Sequence, residues 1–396
     1  MDDSTLTPFR REGGWNVHFT IDPENRTNVL GGIYQVPGSD LVTFRDVRDE
    51  LRLSFEFPNM SGKNHSDDPW TSIAFALTGS PDLTNLPNLR EELQNLSFIS
   101  GDLLAKPVPS LSPTRFNQQQ LLTYCVVSHR NCTLSAGTAL DIHLKEKCAR
   151  RLSKPCHRFD PRYLPVNDHS SDTAIATPLR PAEYTPSNPT PSDSTSPNWW
   201  DSDDDDDDDD DDDYTQLQSM PASASMRINI ETYNSWQSKF RSKCIDSQLP
   251  CAVSGQGCTW WGGVGPAIEA CQIVPLPHYH RYLLGDMNIP TEEEISAEAA
   301  KRRYRMHAKV WPKAWSPENG ILLRKDLHEL FDARLFSIHP KTFVIRVFVP
   351  YDILTGFNGK EATLPRGIDT EALRHHYEIC CIENMSPRTS LRYIFK

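Results

Sequence analysis

The side chains best suited to proton transfer or metal binding lie close together in the segment 316–332. Asn319 precedes Gly320 at an expected turn, and His328 stands four residues before Asp332. Residues four apart are neighbours on a helix surface, so a helix here would place the imidazole beside the carboxylate. Histidine is the side chain that exchanges protons near neutral pH and commonly binds metals. This segment is therefore the first candidate for a functional site.

Short apolar strands and helices are expected to position these side chains. The apolar pattern predicts a strand over 321–323, followed by a helix that Asp326 begins and that carries His328. We expect an α+β arrangement for this part of the chain. Further strands are predicted at 251–255, 267–274, 335–339 and 342–349, and helices at 234–244 and 291–310, the second of which begins with a capping box of Thr291 and Glu294.

The order of four motifs resembles the HNH endonuclease family that is common in fungal genomes. The motifs are Cys251 to Gly255, Glu269 to Pro275, Asn319 to Leu323 and Leu327 to Asp332, and the resemblance covers about residues 250–350. It implies a ββα-metal fold with a histidine as general base, an asparagine that orients it and a second histidine that binds a divalent metal. Such a site hydrolyses phosphodiester bonds, because an activated water and a cation act together on the phosphate. The implied cofactor is Mg²⁺ or Mn²⁺, and the implied partner is nucleic acid, with DNA first.

Two of the three implied catalytic positions carry the expected residue, and one does not. By the resemblance, Asn319 is the orienting asparagine and His328 is the metal ligand, whereas Gln272 stands where the family has its general base. Glutamine does not titrate near neutral pH and cannot be a general base, although it can hold a water by hydrogen bonding. Without a general base, the rate of hydrolysis is expected to be lower by roughly 10²–10⁴-fold. His278 and His280 are candidate replacements, but both lie beyond the strand end.

Each of these residues also has a purely structural interpretation. An asparagine before glycine is frequent in turns, a histidine on a helix surface is common, and Asp332 is expected to be a packing or salt-bridge partner. Two functions therefore stay open for the C-terminal part: a nuclease, and a catalytically degenerate domain that binds DNA or protein. A third hypothesis places the biological role in the N-terminal part, through a partner protein.

The N-terminal part, residues 1–154, is expected to be a separate β-rich or α+β domain without a chemical motif. Alternating apolar and polar residues predict strands at 15–21 and 51–57. Glycines at 31–32 predict a turn that leads to another extended segment at 41–44.

Histidines and cysteines outside the motifs are expected to be structural. None of the ten cysteines forms a CxxC pair, so a zinc ribbon has little support. Reduced thiols are expected, and Cys251 and Cys271 are expected to be buried without a catalytic role. His18, His129 and His143 are expected to be surface or core residues rather than ligands.

A change of composition at residues 155–225 predicts a disordered linker rich in Pro, Ser and Asp. Asp201 and Asp203–Asp213 supply twelve negative charges, so this short segment accounts for the net charge of −12. The HNH nuclease-like domain predicted at 226–396 has 22 Lys+Arg and 18 Asp+Glu, a balance near +4 that is compatible with nucleic acid. The basic stretch 301–313 is either a contact to phosphates and bases or a solvated helix face.

Neither a signal peptide nor a membrane span is expected from the sequence. The first residues are acidic and no run of about 18 apolar residues occurs. We therefore expect an intracellular protein that is not secreted, and the nucleus is a compatible compartment.

Overall fold

A computed structural model describes residues 6–22, 24, 29–57, 68–80, 87–111, 121–135, 137–158, 230–246, 250–275 and 313–385. The N-terminal elements are α1 (Pro8–Glu12), β1 (Val17–Thr20), β2 (Val29–Ile33), α2 (Phe44–Ser54), β3 (Phe55–Glu56), β4 (Ile73–Gly79), α3 (Pro87–Asn95), β5 (Phe98–Ile99), β6 (Leu122–His129), α4 (Leu140–Lys145), β7 (Ala149–Arg151) and β8 (Cys156–His157). The C-terminal elements are α5 (Ile230–Asp246), β9 (Ile268–Gln272), β10 (Gly320–Arg324), α6 (Lys325–Asp332), β11 (Phe336–Ile338), β12 (Ile345–Val347), α7 (Asp352–Thr355) and α8 (Thr370–Met385). Within these described residues, we find no helix with the length and apolar character that a membrane crossing requires.

A six-stranded mixed sheet organises the N-terminal part. Its order is β2-β1-β6-β4-β5, with β7 paired to β6, and only the β1–β6 pair is parallel among the described strands. Helix α2 covers one face, where Phe44 packs against Phe75 and Tyr124. The opposite face carries a much smaller apolar cluster: Ala74, Ala76, Phe98, Cys125, Val127 and Ala149.

Helix α2 replaces most of the strand predicted at 51–57, so the strand prediction is wrong for residues 51–54. The helix begins with a capping box, in which Asp46 N donates to Thr43 Oγ1 at 3.2 Å and Thr43 N donates to Asp46 Oδ2 at 2.8 Å. Leu51 is fully buried on the face of α2 that packs on the sheet. Because a short apolar pattern fits periods of both 2 and 3.6 residues, the capping box was the more informative signal.

Two glycines in β2 are explained by close packing, and the predicted turn at this point is wrong. A Cβ at Gly31 would lie 2.5 Å from the backbone oxygen of Met385, and one at Gly32 would lie 2.3 Å from the Trp15 ring. Glycine is the residue that allows such a close approach. The extended segment predicted at 41–44 instead leads into α2.

The C-terminal part contains two antiparallel hairpins, β9–β10 and β11–β12, and the helix α6 between them. These strands, together with α5 and α6, confirm the corresponding predictions, and the mixed content agrees with the α+β class. Residues 251–255 form a turn rather than a strand, because Gly255 has φ 65° and its N–H donates to Cys251 O at 2.9 Å. The helix predicted at 291–310, His278, His280 and the linker beyond residue 158 lie outside the described residues.

The two parts of the chain share one hydrophobic core and a buried polar contact. Arg346 on β12 is paired with Glu50 on α2, with Nη2 and Oε2 2.9 Å apart, and it also donates to the Tyr377 hydroxyl on α8 at 2.6 Å. The N-terminal part is thus in direct contact with the C-terminal part, whereas the sequence indicated a separate domain. The boundaries 1–154 and 226–396 remain predictions.

Candidate active site at the β9–β10 hairpin and helix α6

The β9–β10 hairpin, the 3-10 turn before β10 and helix α6 carry Gln272, Asn319 and His328. Gln272 ends β9 and is paired with Gly320, the first residue of β10. Gly320 has no room for a side chain, because a Cβ would lie 2.6 Å from Cys244 Sγ and 2.9 Å from the Phe240 ring on α5. Asn319 ends the short 3-10 turn that precedes β10. Since α6 follows β10 directly, the hairpin and the helix form one ββα unit.

Asn319 is buried and joins two loops through its side chain. Its Oδ1 accepts from Val274 N at 3.0 Å, and its Nδ2 donates to Val274 O and to Ala314 O, each at 3.1 Å. The loss of these bonds would leave buried backbone groups unpaired, at about 1–3 kcal/mol for each group. The asparagine therefore holds the end of β9 and the loop before β10 in a fixed relation.

Gln272 meets Asn319 at the same backbone oxygen. Its Nε2 donates to Ala314 O at 3.0 Å, so this carbonyl accepts from both carboxamides. A carbonyl oxygen has two lone pairs and can satisfy both donors. The structure thus brings together two of the three residues that the sequence predicted as catalytic.

His328 belongs to a second group on the other side of β9. Its Nδ1 lies 2.9 Å from Glu269 Oε2, and its Nε2 lies 3.4 Å from Asp332 Oδ2. Successive side chains of a strand point to opposite faces, so Glu269 and Cys271 face α6 while Gln272 faces away. Among the described residues, the side-chain contacts of His328 are to carboxylates, and neither Gln272 nor Asn319 is one of its partners.

The two ring nitrogens of His328 face two different carboxylates. A neutral ring has one N–H and can donate to only one of them. An imidazolium satisfies both, and so does a ring that donates from Nδ1 to Glu269 while Nε2 and Asp332 share a cation. Metal-binding histidines usually donate their other N–H to a carboxylate. Two ligands of one metal at bond lengths near 2.1 Å are about 3.0–3.4 Å apart, which matches the 3.4 Å separation of Nε2 and Oδ2.

Cys271 lies beside this group but does not supply an anion. The ligand atoms of Cys271, His328 and Asp332 all lie within 4.8 Å of one another. Burial raises the pKa of Cys271 well above its usual range, and the Asp332 carboxylate raises it further. Without a metal the sulfur is therefore a thiol, and it lies 3.9 Å from Asp332 Oδ1. The remaining imidazole and carboxylate donors suit a hard or borderline divalent cation, and the exposed Asp332 leaves the site open to solvent.

Two participants were missed from the sequence. Glu269 was seen only as part of a motif, although its position two residues before Cys271 puts it on the face that meets α6. The Ala314 carbonyl carries no side-chain signal, so no sequence pattern could reveal it. Asp332, expected to be a salt-bridge partner, does contact His328, and the same contact places it among the possible ligands.

Comparison with known proteins supports a family assignment for this region. A family model described as HNH endonuclease matches residues 251–339. No curated protein and no solved structure matches the chain. The matched segment contains the β9–β10 hairpin, α6 and β11, which hold the residues of both groups described above. Residues 251–339 are therefore similar to an HNH endonuclease domain, which suggests a nuclease-type function in general.

Proposed function

We propose that this chain hydrolyses phosphodiester bonds in nucleic acid with a divalent metal, through Glu269, Gln272, Asn319, His328 and Asp332. The observation that carries the proposal is the position of His328 between two carboxylates. A helix-borne histidine with this environment can bind a cation on one nitrogen and be oriented through the other. Mg²⁺ or Mn²⁺ is the cofactor that we propose.

Three side chains hold the proposed metal site. His328 Nε2 and Asp332 would bind the cation, and Glu269 fixes the tautomer by accepting from Nδ1. A divalent cation at this point would stabilise negative charge on the phosphate oxygens. Cys271, whose thiol pKa is raised by burial, is a soft donor that Mg²⁺ and Mn²⁺ do not prefer, and we do not assign it to the cation.

Gln272 occupies the place of the general base and limits the rate. Its amide donates to Ala314 O, which leaves its own oxygen able to accept from a water. Glutamine takes no proton from that water, so we expect a rate lower by roughly 10²–10⁴-fold than with a histidine there. Asn319 keeps the Ala314 carbonyl and the end of β9 in position.

We propose DNA as the first substrate to test. Two tryptophans on the loop before β9 are almost fully exposed, Trp260 at 98% and Trp261 at 81%. Exposed aromatic rings stack on unpaired bases at about 1–3 kcal/mol per base. Together with the near +4 charge of residues 226–396, these rings give the domain a surface suited to nucleic acid.

A second candidate function is a degenerate domain that binds nucleic acid or protein without cutting. Gln272 is the observation that favours it, because the general base of the family is missing at that position. The two functions differ in one respect that can be measured: whether bound DNA is cleaved when the metal is present.

The direct test is nicking of supercoiled plasmid by the full-length protein with Mg²⁺ or Mn²⁺. The full chain is used because the N- and C-terminal parts share a core. His328→Ala is compared with Glu329→Ala, an exposed position on the same helix, and plasmid binding is measured on the same samples.

The three outcomes separate the hypotheses. Metal-dependent nicking that is lost in His328→Ala and kept in Glu329→Ala supports the nuclease. Binding without nicking, in the presence of either metal, selects the degenerate module. Nicking that His328→Ala leaves unchanged contradicts the proposed site.

A further inference from the structure

Four side chains that commonly bind metals meet beside β6 in the N-terminal part. His129 ends β6, Cys132 follows in the next turn, His143 lies on α4, and Cys148 immediately precedes β7. Each offers one ligand atom, and these four atoms all lie within 4.8 Å of one another. Because β7 returns to pair with β6, with Ala149 opposite His129, the first and last members of the group are neighbours.

We propose that His129, Cys132, His143 and Cys148 bind one Zn²⁺ as a structural site. Two thiolates and two imidazoles complete a tetrahedron and leave no position for a substrate, as in structural zinc sites. Thiolate ligands select Zn²⁺ over Mg²⁺ or Mn²⁺. Binding releases the protons of the two thiols, so the site gains affinity as pH rises.

The distances between the ligand atoms already suit a tetrahedral ion. His143 Nδ1 lies 3.5 Å from Cys132 Sγ and 3.3 Å from Cys148 Sγ. A zinc ion with ordinary Zn–S and Zn–N bonds holds such atoms about 3.6 Å apart. Cys132 Sγ also accepts from Leu134 N at 3.3 Å, which fixes the position of the sulfur.

The histidines are placed as ligands rather than as free surface groups. The ring of His143 is buried and stacks on Phe98, with the ring centroids 3.7 Å apart. Nε2 of His129 is also buried, and it has no hydrogen-bond partner within the part of the chain that the structure describes. Buried polar atoms normally have a partner, and a cation is one that would satisfy this nitrogen.

The segment 130–148 makes only a small apolar contact with the sheet. Of its described residues only His143 is buried, and the partly buried Leu140 and Leu144 pack against the small apolar cluster on this face of the sheet. Both cysteines follow a residue in the left-handed backbone region, Asn131 with φ 51° and Lys147 with φ 62°. Such positions persist only where the surroundings determine them. A bound ion would join the two ends of the segment and supply this constraint.

The test is the metal content of the full-length protein, purified without added metal and measured by plasma mass spectrometry. We expect one zinc per chain, loss of that zinc in Cys132→Ser and Cys148→Ser, and retention in Cys156→Ser, an exposed cysteine outside the group. If His328→Ala also retains the zinc, the bound zinc is at this site and not at the C-terminal one. Replacement of zinc by Co²⁺ should add a thiolate charge-transfer band, which Cys148→His should weaken while it keeps a bound metal.

Several results would overturn the proposal. One is wild-type protein that holds no zinc and gives no thiolate charge-transfer band with Co²⁺. This result does not depend on whether any variant folds. Another is zinc content that is unchanged when either cysteine is replaced. A disulfide between Cys132 and Cys148 in the protein as purified would also exclude the site.

Discussion

Replacement of Gln272 by histidine should convert a slow site into a faster one. Gln272 Nε2 donates to Ala314 O at 3.0 Å, and Asn319 Nδ2 donates to the same oxygen at 3.1 Å. An imidazole at this position can donate one N–H to that carbonyl, and the other nitrogen then keeps a lone pair. A hydrogen bond of this kind sets the tautomer of a histidine, so the second ring nitrogen would be free to accept a proton.

The size of the gain follows from the chemistry that the variant restores. General acid–base catalysis contributes roughly 10²–10⁴-fold, or about 2.7–5.5 kcal/mol of activation free energy. We expect a gain within this range, because Ala314 O is already held by Asn319 and little rearrangement is needed. Metal binding at His328 and Asp332 should not change, since Gln272 lies on the opposite face of β9.

The assay is plasmid nicking under single-turnover conditions, with Gln272→His compared with wild type and with Gln272→Leu. A histidine base is active when neutral, so the rate of Gln272→His should rise with pH through about 6.5. The wild-type protein should lack this inflection. Gln272→Leu removes the contact to Ala314 O without supplying a base, and it should not be faster than wild type.

Two results would refute this reasoning. The first is a folded Gln272→His variant that binds Mn²⁺ as wild type does and yet cleaves no faster. The second is a gain in rate that survives the addition of His328→Ala, because the base would then act without the proposed metal site.

The remaining predictions concern stability. Arg346→Met leaves the Glu50 carboxylate buried without its ion-pair partner and should lower the free energy of unfolding by about 3–5 kcal/mol. Chemical denaturation measures this change. The double variant Arg346→Met with Glu50→Gln should recover part of the lost stability. Burial lowers the pKa of His376 from 6.5 to about 3, so the unfolded state takes up the proton first as the pH falls below 6.5. The unfolding free energy should then decrease by about 1.4 kcal/mol per pH unit from this residue, and the slope between pH 6 and 4 should be shallower in His376→Asn. Gly320→Ala places a Cβ against α5 and should destabilise the protein by about 1–3 kcal/mol, whereas Gly356→Ala, with nothing within 4 Å, should leave the melting temperature nearly unchanged.

Local sequence was sufficient for the elements around the candidate active site. Ile321–Leu323 and the helix with His328 were predicted because a short apolar run and helical spacing occur next to each other. The strand that ends at Gln272 was recognised for the same reason. The residues that define each of these elements are neighbours in the sequence. The local pattern therefore specified the element, and tertiary packing did not change it.

Contacts between distant residues could not be predicted in the same way. Glu269 and His328 are 59 residues apart, and their hydrogen bond depends on how the hairpin packs on α6. The group of His129, Cys132, His143 and Cys148 shows the same difficulty, because each residue alone resembles an ordinary surface or core residue. Only the return of β7 onto β6 brings that group together.

The central claim is that the polar group between β9 and α6 is a divalent-cation site, and Mn²⁺ binding tests it most directly. Electron paramagnetic resonance of the full-length protein titrated with Mn²⁺ reports the bound ion without the need for cleavage. The account predicts one site that is lost in His328→Ala and in Asp332→Asn, and that persists in Glu329→Gln on the same helix. Equal Mn²⁺ binding by all four proteins, or none by the wild type, would contradict the account.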